Sequence, residues 1–233
     1  MKILFACDLD GTLIHSHKKR RADDICVELY DGREQSFISP RALELLKRLA
    51  AQILFVPVTT RSRAQYRRIH WTDDFKPRYA VTTNGAIFLD GERIIFRKEL
   101  VETCADELEY QRTLYADNPA FDICRIVDES FLFLRCRDDL NAEDFHFDTR
   151  LTVQHTGKKI YFFPPELNKG TALRMLIEKF SPDKVFCAGD SEIDLPMLEL
   201  ADVAFFPKNL GGKFSDAPDF AEEFLEKISE QLQ

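Results

Sequence analysis

Two carboxylates one residue apart, Asp8 and Asp10, follow the apolar run Ile3-Leu4-Phe5-Ala6-Cys7 and precede Gly11-Thr12. In an extended chain residues i and i+2 point the same way. Asp8 and Asp10 therefore address one site until Gly11 lets the chain turn away. A nucleophile beside an acid/base is the chemistry such a pair can do. Solvated turns also produce Asp-x-Asp, so the later segments decide. Val58-Thr59-Thr60-Arg61-Ser62 brings hydroxyls and a guanidinium to the end of a second apolar run, where Thr59 or Thr60 would otherwise serve only as a helix cap. Asn168-Lys169-Gly170-Thr171-Ala172-Leu173 opens a helix with a lysine, which the helix dipole disfavours unless an anion stands nearby. Ala188-Gly189-Asp190-Ser191-Glu192-Ile193-Asp194 follows a third run and adds up to three acids. Clustered with Asp8, these would repel one another without a cation, and an all-oxygen site suits Mg²⁺.

The elements that must position these groups are legible around them. Apolar runs at Ile3 to Cys7, Ile53 to Val58 and Val185 to Ala188, with companions at Tyr79 to Val81 and Val203 to Phe206, predict strands buried on both faces. Ser39-Pro40 opens a helix with an apolar stripe of Leu43, Leu45, Leu46 and Leu49, and Lys169 to Phe180 forms another, stopped by Ser181-Pro182. Strands alternating with helices predict an α/β fold with a parallel, Rossmann-like doubly wound sheet. Ligands of such sheets bind beyond the carboxyl ends of the strands, where all four segments fall.

The middle of the chain reads differently. A helix from about Glu99 to Tyr115 is followed by strands at Phe121 to Val127 and Phe131 to Cys136, then a short helix near Asn141 to Phe147. Two further strands follow, Leu151 to His155 and Lys158 to Phe163. Asp128-Glu129 and Thr156-Gly157 fit tight turns. This order predicts an α+β insertion, an antiparallel sheet with helices on one face, over residues 86–164 between core segments 1–85 and 165–233. A small hairpin around Asp31-Gly32 is expected to project near the first motif.

The formal net charge of −8 argues against broad nucleic-acid or membrane-surface binding, and no apolar stretch approaches the ~20 residues of a membrane span. Six scattered cysteines without a C-x-x-C pair read as reduced, buried thiols, and cytoplasmic is the default location. His70, His146 and His155 have no metal-ligand spacing, so no zinc site is assigned. His15, His17 and the basic stretch Lys18 to Arg21 follow the first motif and read foremost as a solvated turn.

Taken in order, the four segments resemble the motifs of the haloacid dehalogenase superfamily of phosphohydrolases: Asp8 to Thr12, Thr59, Lys169, and Gly189-Asp190 with Asp194. The late insertion, with Thr83-Asn84-Gly85-Ala86 and Lys169 to Leu173, is similar to the subclass bearing an α/β cap. That subclass includes Cof-like sugar phosphatases, sucrose-phosphate phosphatase, phosphomannomutase and mannosyl-3-phosphoglycerate phosphatase. The resemblance implies a Mg²⁺-dependent phosphomonoesterase acting on a small-molecule phosphate ester, a sugar or polyol phosphate, with the chain a monomer or homodimer. Phosphotransfer to a sugar hydroxyl and non-catalytic binding of a phosphometabolite are the alternatives.

The resemblance also implies roles. Asp8 is the nucleophile and Asp10 the acid/base, whose pKa should lie near working pH. Asp8, the Asp10 carbonyl and Asp190 hold the metal. Thr59, Thr60, Arg61, Asn84, Gly85 and Lys169 contact phosphate or substrate, and Asp194 with Ser191 acts behind the direct ligands. Two departures stand out: Ile193 occupies a position where many relatives carry Asn, and Thr60 replaces a common glycine. The cap is expected to choose the substrate, with Arg125, Arg135, Arg137, Arg150, Lys158 and Lys159 as its available cations.

Overall fold

The computed structural model describes residues 1–232. Strand β1 (Ile3–Cys7) leads into a three-stranded sheet of β2 (His15–Ser16), β3 (Ile25–Tyr30) and β4 (Arg33–Ile38), then α1 (Pro40–Ala50), β5 (Leu54–Pro57) and α2 (Arg63–Arg67). Strands β6 (Tyr79–Thr82), β7 (Ile87–Asp90) and β8 (Arg93–Phe96) form an antiparallel meander. Helix α3 (Ala105–Tyr115) precedes β9 (Phe121–Val127), β10 (Phe131–Cys136), β11 (Thr152–Thr156) and β12 (Lys159–Phe163). Then come α4 (Lys169–Phe180), β13 (Lys184–Ala188), α5 (Leu195–Leu198), β14 (Val203–Phe205) and α6 (Asp219–Gln231).

Strands β14, β13, β1 and β5 form a parallel sheet in that order. Alternation along β1 explains why it is covered on both faces. Ile3, Phe5 and Cys7 join one apolar cluster with residues of α1 and α6, while Leu4 and Ala6 join a second with residues of α4 and α5. The sheet is thus doubly wound, as the apolar runs predict. Register then does the functional work: Cys7 is level with both Pro57 and Ala188, so the chain emerges at Asp8, Val58-Thr59 and Gly189-Asp190 along one edge.

Local signals are obeyed where they are strong. The Ser39 side chain caps α1 by accepting from the Ala42 amide at 3.0 Å, with Pro40 in the first turn. Helix α4 runs over the expected residues, capped by Asn168 and ended by Ser181 in the left-handed region at φ 43°. Asp31-Gly32 and Asp128-Glu129 have positive φ at both positions, as two-residue hairpin turns require.

The middle of the chain departs from expectation in two places. Helix α3 starts at Ala105, not near Glu99, because Leu100 and Cys104 are drawn into the core by two separate 3₁₀ turns. The helix expected near Asn141 to Phe147 is one 3₁₀ turn, Ala142–Asp144. Phe145 and Phe147, two residues apart, instead lie extended to reach Phe121 and Phe162, at ring separations of 5.0 and 4.7 Å. Strands β7 and β8 lie inside 86–164, yet they pair onto β6, whose Val81 bridges Val58 beside the parallel sheet. The separate antiparallel sheet, ordered β11-β12-β10-β9, begins at Phe121.

All six cysteines are free, with Cys7, Cys104, Cys136 and Cys187 buried. No helix among the described residues is long and apolar enough to cross a membrane.

Candidate active site

Asp8 is the first residue beyond β1, and its amide donates to the Ala188 carbonyl at 2.9 Å. Its side chain is buried against Lys169, whose ammonium donates to Asp8 Oδ1 and, at 2.5 Å, to Asp194 Oδ1. Lys169 is only 1% exposed. An ammonium can be held there only because two carboxylates face it. Burial depresses its pKa, but Asp194 and Asp8 outweigh that and hold it above the ordinary lysine value. The anion that the lysine at the start of α4 called for is Asp8 together with Asp194.

Asp194 is fully engaged. Its Oδ2 accepts from the amides of Asp190 and Ser191, at 3.1 and 3.0 Å, and from the Ser191 hydroxyl at 2.9 Å. Asp194 therefore orients Lys169, and Ser191 fixes Asp194. Ile193 packs into the core at 6% exposure. Gly189 and Gly11 permit the crowding: a Cβ on Gly189 would strike Asp194, and one on Gly11 would run into the Asp190 carboxylate. Gly11 also has φ +88°, a backbone conformation that side chains rarely adopt.

Asp8, Asp190 and Asp194 bring one oxygen each within 4.8 Å of one another. Asp190 receives a hydrogen bond from Thr12 Oγ1 at 3.1 Å. Burial, followed by the charge of Asp194, pushes Asp190 up to about 6. Burial also raises Asp8 well above the ordinary carboxylate range, although Lys169 acts in the opposite direction. Three clustered carboxylates against a single ammonium leave an excess of negative charge. A hard divalent cation on Asp8 and Asp190 would remove it, so the residues present fit Mg²⁺.

Asp10 leaves this cluster and points into a cleft with half its side chain exposed. Arg61 clamps it, with Nε 2.6 Å from Oδ2 and Nη2 2.7 Å from Oδ1. The same guanidinium donates to Glu28 at 2.8 Å and to Ser36 Oγ at 3.0 Å. Desolvation raises Asp10, but the charge and hydrogen bonds of Arg61 win and hold it below the usual carboxylate value, helped by Lys159 and Lys169. The expectation that Asp10 titrates near working pH thus fails for the free protein, because a bidentate arginine stabilises its charged form.

The remaining sequence candidates divide. Thr59 is fully buried, its hydroxyl accepting from the Arg61 amide at 3.1 Å, and Thr60 lines the cleft. Ser62, not Thr59 or Thr60, caps α2, through a capping box with Gln65. The structure does not bring Asn84 or Gly85 to the cleft. Asn84 is 1% exposed and donates to the Leu167 carbonyl at 3.1 Å, while Gly85 packs against Asn168 and Ala172. Both brace the entry to α4, and so the position of Lys169. His15 is buried against Asp24 at 2.6 Å, and His17 lines the cleft.

Sequence reasoning missed two residues. Glu28 is 4% exposed and bonds Arg61, Arg68 and Ser36, although β-alternation alone does not say which face it takes. Irregular pairing between Cys26 and Leu29 sets its direction. Asp128, in the turn between β9 and β10, accepts from the Arg63 amide at 2.8 Å and the Thr83 hydroxyl at 2.6 Å. It ties the antiparallel sheet to the start of α2 and to the turn after β6, and its recognisable signal was only that of a turn residue.

The sequence profile of haloacid dehalogenase-like hydrolases matches residues 5–115 and 106–209. The chain belongs to that family. Over 61 residues it is 43% identical to a bifunctional trehalose-6-phosphate synthase/phosphatase of Thermoproteus tenax, a match covering 26% of this chain and 8% of that protein. Among solved structures, a trehalose-6-phosphate phosphatase related protein aligns over 99% of this chain and 100% of its own, at 19% identity and TM-score 0.59. The sucrose-phosphatase of Synechocystis aligns over 99% and 98%, at 18% identity and TM-score 0.61. A protein of Streptococcus mutans aligns over 100% and 99%, at 17% identity and TM-score 0.65. These likenesses share the fold, with the antiparallel sheet included in the aligned length.

Proposed function

We propose that the protein is a Mg²⁺-dependent phosphomonoesterase acting on a small phosphorylated metabolite, a sugar or polyol phosphate, through an aspartyl-phosphate. The observation that carries this reading is the buried array Asp8–Lys169–Asp194, with Asp10 held alongside by Arg61. The short identity to a trehalose-6-phosphate synthase/phosphatase agrees with the substrate class.

In this reading an Asp8 oxygen attacks phosphorus as the bond to the leaving oxygen breaks, and Asp10 gives that oxygen its proton. Water then attacks the phosphoryl group, Asp10 takes the water's proton, and inorganic phosphate leaves with Asp8 restored. Asp10 must therefore carry a proton when substrate is bound. A phosphate dianion arriving beside it raises its pKa, opposing Arg61. If Arg61 turns partly toward the phosphoryl oxygens, its hold on Asp10 weakens further. Lys169 opposes the burial that raises Asp8 and, with Thr59, faces the equatorial oxygens, where charge accumulates in the transition state. Asp8, Asp190 and the Asp10 carbonyl would hold Mg²⁺, which would supply neutralisation of charge as one anion approaches another. Asp194, its oxygens already committed, positions Lys169.

The insertion over residues 86–164 is taken as the cap and 1–85 with 165–233 as the core; the pairing of β7 and β8 with β6 favours starting the cap after Phe96. The test is release of inorganic phosphate from a panel of sugar, polyol, glycerate and nucleotide phosphates, with and without Mg²⁺. Mg²⁺-dependent release, reduced roughly 10⁴-fold or more in Asp8→Asn, is the expected result. Release that survives in Asp8→Asn refutes the mechanism, and phosphate recovered on an acceptor hydroxyl replaces hydrolysis by transfer.

A further inference from the structure

The antiparallel sheet presents two chemically different faces. Leu132, Leu134, Ile160 and Phe162 are buried in the apolar core on one side. On the other, cross-strand register sets Arg125, Phe133 and Tyr161 in one row and Ile123, Arg135 and Lys159 in the next. All six line a cleft of about 420 Å³ whose opposite wall includes Asp10, Arg61 and Glu28. The rings of Phe133 and Tyr161 lie 5.4 Å apart, and the Arg125 guanidinium lies 5.8 Å from the centre of the Phe133 ring.

The charges in this cleft do not balance. Arg61 is matched by Asp10 and Glu28, and Arg68 by Glu28 at 2.9 Å. Arg135 is held by Asp122 and Asp138, at 2.5 and 2.7 Å. Arg125 and Lys159 make no ion pair among the described residues, and both are exposed on the cleft-facing side. A chain of net charge −8 thus keeps two uncompensated cations on the wall facing Asp10. They stand two strands apart and two residues offset along the strands, roughly 12 Å by strand geometry. Their long side chains can close that gap across the aromatic pair.

We propose that Arg125 and Lys159 form a subsite for a second anionic group on the leaving group, with Phe133 and Tyr161 carrying the carbon chain between it and the phosphoryl group. This rests on the phosphomonoesterase reading and sharpens its substrate class to phosphates of sugar acids or to bisphosphates. Both sources offer the same chemistry, a planar or tetrahedral oxyanion that a guanidinium can grip with two hydrogen bonds.

The test uses matched pairs: gluconate 6-phosphate against glucitol 6-phosphate, which differ in a carboxylate for a hydroxymethyl, and fructose 1,6-bisphosphate against fructose 6-phosphate. Affinities are measured by calorimetry on full-length Asp8→Asn, and kcat/KM on the wild type. The anionic member of at least one pair should be favoured roughly tenfold or more, and adding Arg125→Met or Lys159→Met should drive that ratio toward one. The pair that responds identifies carboxylate or phosphate as the source. A ratio near one before substitution overturns the proposal. So does an equal loss for both members of a pair, which assigns the two cations to the transferred phosphoryl group. If the binding ratio holds while the wild type releases no phosphate, the subsite stands and the phosphatase reading falls; release with a ratio of one gives the reverse.

Discussion

The two walls of the cleft handle charge in opposite ways. On the parallel sheet, Lys169 and Asp194 are buried and every oxygen of Asp194 has a donor. On the antiparallel sheet, Arg125 and Lys159 are exposed and unpaired with any described acid. Buried charges must be matched within the protein because desolvation is costly. Exposed ones keep their hydration and can exchange it for a ligand. The first wall is built to hold fixed charge at one point, and the second is free to respond to what enters.

The strongest way to break this comparison is to remove a cation from each wall. Lys169→Met leaves Asp8 and Asp194 buried without their counter-charge, and about 3–5 kcal/mol of stability should be lost. Arg125→Met and Lys159→Met should stay within about 0.5 kcal/mol of wild type. Chemical denaturation of the three variants measures both, and similar losses in all three would erase the distinction between the walls.

Arg61 lies between the two regimes, since it holds Asp10, which the proposed reaction needs as its acid/base. Arg61→Gln removes the clamp, so the Asp10 pKa should rise toward the ordinary carboxylate range. The alkaline limb of the kcat/KM profile, which the proton-donating Asp10 would set, then moves to higher pH, while loss of the guanidinium lowers the rate by roughly 10²-fold or more. An unmoved limb would show that Arg61 does not set the Asp10 titration.

A smaller effect concerns the acidic cluster. In the fold Asp190 keeps its proton up to about pH 6, whereas unfolded it loses it near 3.8. The native state therefore binds more protons between those values, and without a cation stability declines as pH rises from about 4 to 6. Mg²⁺ requires the carboxylate form, so the gain in Tm on adding Mg²⁺ should grow as pH rises through about 6. A gain independent of pH from 4 to 7 would place the cation elsewhere.

The smallest expected change tests the latch between the walls. Asp128→Ala removes the two hydrogen bonds that tie the antiparallel sheet to the Arg63 amide and the Thr83 hydroxyl. KM should rise several-fold, with kcat changed less, consistent with about 1 kcal/mol for the two bonds together. A fall in kcat alone would mean that Asp128 acts on the chemistry and not on closure.

Much of this molecule could be read before any contact was known. Local signals sufficed for β1, for α4 between Asn168 and Pro182, and for the Asp31-Gly32 and Asp128-Glu129 turns, because each depends on residues within one turn or strand. The motif residues Asp8, Lys169, Asp190 and Asp194 were legible for a related reason, since each stands at a strand or helix end whose position is locally encoded. The short helix expected before Phe147 failed because aromatic packing against Phe121 and Phe162 outweighed local propensity.

What the sequence by itself determined is the set of strand ends and the chemical groups delivered to them. Hydrophobic periodicity and caps act over a few residues, and parallel register then follows from burying every apolar run. Only the tertiary structure decided that Arg61 grips Asp10, that Glu28 joins them, that Asn84 braces α4, and that Asp128 meets Arg63 and Thr83. It also decided which cap cations are spent on neighbouring acids and which are left facing Asp10. Those outcomes depend on side chains meeting across dozens of residues of intervening chain, where one irregular strand pairing or one rotamer selects the partner and no local pattern records the choice.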